Sequence, residues 1–244
     1  MNSSTASIAL ITGANKGIGF EIARRIGATG ARVLVGARDE ARGETAAAAL
    51  RVEGLDARFL RVDLDQPQTI AAAAAAIDAE HGRLDILVNN AGVVAPGDDR
   101  PGQASPEAVR RVFEINFFGA LAVAQAMLPL LKRSKAARIV NVSSGLGSLG
   151  RHSDPNWEFS AFKVIGYCAS KAALNMLTVQ LAAELRETGA KVNSAAPGYT
   201  ATDLNQHRGR QTVAEGAQAA VRLALLPDDG PTGGFFDAEG RLPW

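Results

Sequence analysis

Apolar positions along the chain fall into short β-branched runs, and stretches with helical periodicity separate them. Candidate strands are Ile8–Thr12, Arg32–Gly36, Ala57–Val62, Leu84–Asn89, Arg138–Val142 and Lys191–Ala195, with a weaker one at Gly234–Asp237. Most are apolar on both faces, as expected of strands covered by helices on each side. The intervening segments Gly17–Thr29, Glu40–Glu53, Pro67–His81, Glu107–Leu131, Tyr167–Thr188 and Val213–Leu226 read as helices. This alternation predicts an α/β fold, a doubly wound (Rossmann) parallel sheet of about seven strands with helices on both faces. The six alanines Ala71–Ala76 read as a high-propensity helix turn packed closely on the sheet.

No Pro/Ser-rich linker divides the chain, so residues 1–244 are expected to form one domain. The irregular stretches 95–106, 145–166 and 199–211 all follow strands. In a doubly wound sheet ligands bind outside the carboxyl ends of the strands, so these loops should surround the site.

Composition narrows the class. At 244 residues, 47% hydrophobic, 21% charged and net charge +1, disorder and a polyanion-binding tail are excluded, and nucleic-acid binding has no support. A single cysteine, Cys168, and three histidines exclude a disulfide framework and a cysteine- or histidine-rich metal site, so no metal is expected. Met1–Ser7 is polar, with neither a basic stretch nor a long apolar run; the expectation is a cytoplasmic chain without membrane attachment. Glycine, at 25 residues, is in excess, which points to special backbone turns.

One such turn directly follows the first strand: Thr12-Gly13-Ala14-Asn15-Lys16-Gly17-Ile18-Gly19, with a helix opening at its end. Glycines let backbone approach a pyrophosphate, and the helix N-terminus offers unpaired N–H groups and a positive dipole end. The literal Gly-x-Gly-x-x-Gly at Gly145–Gly150 is discounted, because a loop rather than a helix is expected after it. The second strand runs into Ala37-Arg38 where an acid would otherwise accept a ribose 2′-hydroxyl. Arg38 and Lys16 without a competing acid favour a 2′-phosphate, hence NADPH, while Asp39 is read as the cap of the next helix.

Tyr167 and Lys171 are four residues apart and so share a helix face. An ammonium beside a phenol would lower the phenol's pKa toward the operating range and suit it to give a proton to a carbonyl oxygen. Ser144 ends the preceding strand and could polarise the same oxygen; Ser143 is the alternative hydroxyl. Asn116 is an amide in apolar surroundings. A Ser/His/Asp hydrolase built on Ser144 or Ser148 with His152 and Asp154 is rejected, since no Gly-x-Ser-x-Gly elbow is present.

Together these residues resemble the single-domain short-chain dehydrogenase/reductase family: Thr12-Gly13-x3-Gly17-x-Gly19, Asp63, Asn89-Asn90-Ala91-Gly92, Asn116, Ser144, Tyr167-x3-Lys171 and Pro197-Gly198, in family order over nearly the whole chain. Within the family the chain is similar to carbonyl reductases, on Asn15-Lys16-Gly17, Ala37-Arg38-Asp39, Asn116-Phe117-Phe118-Gly119, Pro197-Gly198-Tyr199 and Trp244. The resemblance implies NADPH-dependent, reversible reduction of a ketone or aldehyde. Tyr167 would be the general acid, Lys171 would bind the nicotinamide ribose and tune the tyrosine, Ser144 would orient the carbonyl, and Asn116 would hold a water for proton resupply. It also implies cofactor contacts from Gly13, Asn15 to Gly19 (with Ile18), Asp63-Leu64 at the adenine, Asn90 to Gly92 at the ribose, and Pro197, Gly198, Thr200 and Thr202 at the nicotinamide.

A non-catalytic NADP(H)-binding regulator on the same fold is the alternative, but it would not need all four catalytic residues. The 22-residue stretch 145–166 is intermediate in length within the family, which leaves monomer or homo-oligomer open. Its Trp157, Phe159 and Phe162 would either form a lid over an apolar substrate or fill a groove of the fold.

Overall fold

In the computed structural model, which describes residues 6–244, seven strands form one parallel sheet. They are β1 (Ile8–Thr12), β2 (Arg32–Ala37), β3 (Ala57–Arg61), β4 (Ile86–Asn89), β5 (Arg138–Val142), β6 (Lys191–Ala195) and β7 (Gly234–Phe236). The order β3-β2-β1-β4-β5-β6-β7 reverses direction between β1 and β4. There the chain leaves neighbouring strand ends in opposite directions and opens a crevice. Of the polar opening, Met1–Thr5 lie outside the described residues.

The helices are α1 (Gly17–Gly27), α2 (Glu40–Val52), α3 (Pro67–His81), α4 (Pro106–Phe113), α5 (Ala120–Leu131), α6 (Leu149–His152), α7 (Ile165–Glu184) and α8 (Val213–Ala224). Their starts follow local chemistry. Asp39 caps α2 by accepting from the Arg42 amide, Ser105 caps α4 ahead of Pro106, and Thr212 with Glu215 forms a reciprocal capping box at α8.

Successive strand residues point to opposite faces, so the sheet carries two cores. Leu10, Leu34, Leu87 and Ile139 pack beneath α3, α5 and α7, while Ala9, Ile11, Val35, Val88 and Val140 pack beneath α1, α2 and α8.

Three expectations differ from the structure. The run Glu107–Leu131 is not one regular helix: a π-helical turn, Glu114–Gly119, joins α4 to α5. The Asn116 side chain explains where the widening falls, since it bonds Val93 outside the helix through both its oxygen and its nitrogen. The stretch after Gly145–Gly147 is not a plain loop, because Ser148 caps the single-turn α6. The alanine tract packs on the sheet through Ala73, whereas Ala71, Ala72, Ala75 and Ala76 face solvent. Among the described residues, 106–131 is the one helical stretch long and apolar enough to cross a membrane; half of its most apolar window is buried in the protein.

Candidate active site

At the carboxyl ends of the strands, along the β1/β4 reversal, lies a cavity of about 750 Å³, within the size range of cofactor pockets. The turn between β1 and α1 forms one wall, with Gly13, Asn15, Lys16, Gly17, Ile18 and Gly19 at the surface. Gly13 and Gly17 have φ of +65° and +56°, left-handed values that favour glycine. A Cβ on Gly19 would overlap the Asn90 side-chain nitrogen and the Gly13 carbonyl. Lys16, at the N-cap of α1, makes no side-chain capping bond, so the first amides of the helix are left for an anion at this turn.

Thr12 and Asn90 lock this wall to β4. The Thr12 hydroxyl accepts from the amides of Asn90 (3.0 Å) and Ala91 (3.1 Å), and the Asn90 Nδ2 donates to the carbonyls of Thr12 (2.9 Å) and Gly13 (3.3 Å). Asn90 borders the cavity, with its side-chain nitrogen engaged by the glycine turn. Ala91 and Gly92 complete that edge.

At the far end stand Ala37, Arg38, Asp63, Leu64 and Asp65. Arg38 is exposed, and Asp39 is turned away into its helix cap. Asp65, not anticipated from the sequence, is held below the ordinary carboxylate range first by its hydrogen bond to Arg111, with a smaller contribution from Arg38. Lys16 does not lie free beside Arg38 as expected: its ammonium pairs with Asp203, which also bonds His207 at 2.8 Å. Asp203, Leu204 and His207 form a roof that no motif announced.

Tyr167 and Lys171 line the cavity from α7. Enclosure by the protein pushes the Tyr167 phenol up to about 12, partly offset by a hydrogen bond with Ser144. Burial holds Lys171 down to about 8. The expected lowering of the phenol by its neighbour is therefore not found; burial raises it instead. The ammonium lies 5.7 Å from the ring centroid and donates to the Val142 carbonyl at 2.8 Å, and desolvation outweighs it.

Ser144, partly exposed, is the hydroxyl that meets Tyr167, while Ser143 is buried and bonded to the Lys171 carbonyl. Asn116 lies behind Gly92: a Cβ there would sit 3.4 Å from both the Asn116 Oδ1 and the Lys171 Nζ. Its Nδ2 donates to the Ser170 hydroxyl at 3.1 Å. Burial pushes the adjacent Cys168 thiol up to about 11, which makes it unreactive at neutral pH.

Of the residues after β6, Pro197 and Thr202 border the cavity. Thr200 is buried, its hydroxyl donating to the Pro197 carbonyl at 3.1 Å. Gly198 has φ +74°, and a Cβ on it would overlap the Gln211 side chain. No residue of 145–166 lines the cavity. Instead Trp157, Phe159 and Phe162 form an edge-to-face ladder that ends on Tyr199 of the loop after β6.

A parallel sheet whose order reverses beside a glycine-lined helix N-terminus defines a dinucleotide-binding α/β protein of the Rossmann type. The chain belongs to the short chain dehydrogenase family, whose family model matches residues 7–212. It is 39% identical over 226 residues to the short-chain dehydrogenase anuI of Penicillium roqueforti, covering 90% of this chain and 89% of the relative. It is 36% identical to carbonyl reductase (NADPH) 1 of Mus musculus, covering 99% and 100%. That alignment runs over 286 positions against a chain of 244, so the mouse enzyme carries about 40 residues that this chain lacks. Among solved structures, NADPH-bound carbonyl reductase from chicken fatty liver superposes with a TM-score of 0.83 at 28% identity, covering 98% of each chain.

Proposed function

We propose that this protein reduces a ketone or aldehyde to the alcohol, and runs the reverse oxidation, with Tyr167 as general acid and base. It is an NADP-dependent oxidoreductase of the short chain dehydrogenase family. The observation that carries the proposal is convergence: Tyr167 with Lys171 on α7 stands at one end of a cavity whose wall is the glycine turn, Ser143 after β5 lines it, Ser144 hydrogen-bonds Tyr167, and Asn116 lies directly behind.

The cavity fits NADPH. The amides of Gly13 and of Asn15 to Gly19 would take the pyrophosphate, Arg38 and Lys16 the 2′-phosphate, and Asp63-Leu64 the adenine. Ala91, Gly92 and Lys171 would take the riboses, and Pro197 with Thr202 the nicotinamide. When bound, NADPH supplies the hydride that the carbonyl carbon receives.

The chain's own groups then manage the oxygen. Ser144 orients it, and the Tyr167 hydroxyl gives it a proton as it becomes an alkoxide. A phenol at about 12 stays protonated at neutral pH, yet it is a stronger acid than the alcohol being formed, so the proton moves downhill. Lys171 lies close enough to stabilise the phenolate that results, and Asn116 would hold the water that links it to solvent. Val93, Val94, Ile115 and Leu204 give the cavity an apolar lining suited to an apolar carbonyl compound.

The test is a panel of aldehydes and ketones incubated with NADPH, followed by loss of its absorbance. Turnover on at least one member is expected. NADPH binding without consumption across the whole panel would instead favour a dinucleotide-sensing regulator.

A further inference from the structure

We propose that Asp98 is a positioning residue for Tyr167: from the loop after β4 it clamps the first turn of α7 and so fixes where the phenol stands. The proposal rests on the reading of Tyr167 as the general acid.

The start of α7 lacks a cap of its own. Val164 occupies the N-cap and has no polar side chain, yet the first amides of a helix need acceptors. The Ile165 amide donates to the Asp99 carbonyl at 3.0 Å, and the Cys168 amide to the Val164 carbonyl at 3.0 Å. The two between them, Gly166 and Tyr167, donate to the two oxygens of Asp98 at 2.7 and 2.8 Å. These are charge-assisted bonds at the positive end of the helix, spanning 68 and 69 residues of sequence.

Gly166 makes room for the clamp: a Cβ on it would lie 3.0 Å from both Asp98 oxygens. A cap from within α7 would end the helix tidily but leave its rotation and height over the sheet unset. A cap from the β4 loop sets both, because that loop is itself anchored. Val93, at its start, exchanges two hydrogen bonds with Asn116, and Gly97, with φ +86°, accepts from the Ser105 amide at 2.9 Å. Tyr167 is thereby held on both sides of its backbone: Asp98 takes its N–H, and the Ser170 hydroxyl, itself bonded by Asn116, donates to its carbonyl at 2.8 Å.

The experiment compares wild type with Asp98→Ala, Asp98→Asn and Gly166→Ala. Asp98→Ala should lower kcat for carbonyl reduction by about tenfold to a hundredfold, the cost of displacing a reacting group by a fraction of its length. NADPH Kd should change by less than about twofold, since lost positioning is not lost ground-state binding. Asp98→Asn, which keeps one acceptor oxygen but sets an NH2 donor against the other backbone N–H, should recover only part of the kcat; Gly166→Ala, which crowds an intact carboxylate, should reproduce the loss.

Amide hydrogen exchange over residues 165–171 should accelerate about tenfold in Asp98→Ala and stay unchanged at α1. Retention of kcat in Asp98→Ala, or a parallel loss of kcat and NADPH affinity, overturns the proposal. So does unchanged exchange, whatever the turnover. An inactive wild type with accelerated exchange in the variant removes the reading of Tyr167 and leaves Asp98 as the clamp on this helix.

Discussion

Lys171 and Tyr167 stand one helical turn apart with opposed acid–base tuning: burial holds the lysine down to about 8 and pushes the tyrosine up to about 12. Both groups are therefore biased toward their neutral forms. On the proposed reading of Tyr167 as general acid, proton release from the phenol waits for an oxygen basic enough to take it.

The buried lysine should leave a signature in stability. Its folded value lies below its ordinary 10.5, so between pH about 8 and about 10.5 the unfolded chain binds more protons and stability gains with rising pH. Against Lys171→Met, in which this titration is absent, wild type should gain up to about 3 kcal/mol across that window. Denaturant midpoints measured from pH 7 to 10.5 check this; parallel profiles for the two proteins would contradict it. Tyr167, raised in the fold, begins to cost stability above its ordinary 10, at the top of this window, but does so in both proteins and cancels in the comparison.

Removing only the phenolic oxygen isolates the proton transfer. Tyr167→Phe should leave at most a few percent of turnover, in keeping with a loss of about a hundredfold or more for a general acid, while NADPH still quenches protein fluorescence as in wild type. Retained turnover would require a different acid.

Arg38 is the exposed cation at the far end of the cavity. Arg38→Asp should weaken NADPH far more than NADH, by about 1.5–3 kcal/mol for a lost charged hydrogen bond. Titration with both cofactors reads this directly, and an unchanged preference would remove Arg38 from 2′-phosphate recognition.

Asp203 competes for the other cation. With the Lys16–Asp203 pair exposed on both sides, its worth is small, so Asp203→Asn should tighten NADPH by about two- to fivefold at low salt and less at high salt. Weaker binding in the variant would mean that Asp203 supports the roof more than it restrains Lys16.

The sheet and much of the site could be read from the chain because their signals are local. Strand β1 is apolar from Ile8 to Ile11 and sits next to its glycines, and Tyr167 and Lys171 share a face by spacing alone. What stayed hidden depends on contacts between distant segments. The π-helical turn at Asn116 needs Val93, 23 residues away, and the Asn90 side chain supports a turn 77 residues earlier. Asp203 became part of the site because its loop folds over Lys16, 187 residues away. The raised phenol was missed for a different reason: the spacing reveals a neighbouring charge but not how much water the fold excludes.

The Thr12 hydroxyl, which binds the backbone of β4 to that of β1, divides the cavity into parts with different mechanics. The floor, made of two adjacent strand ends and the glycine turn, is held by these hydrogen bonds. Residues 199–211 cross above it with Gln206 and His207 in left-handed conformations and a surface ion pair as their tie to the glycine turn. The two sides of the cavity are therefore joined to the sheet by different means, buried hydrogen bonds between strand ends below and an exposed ion pair above.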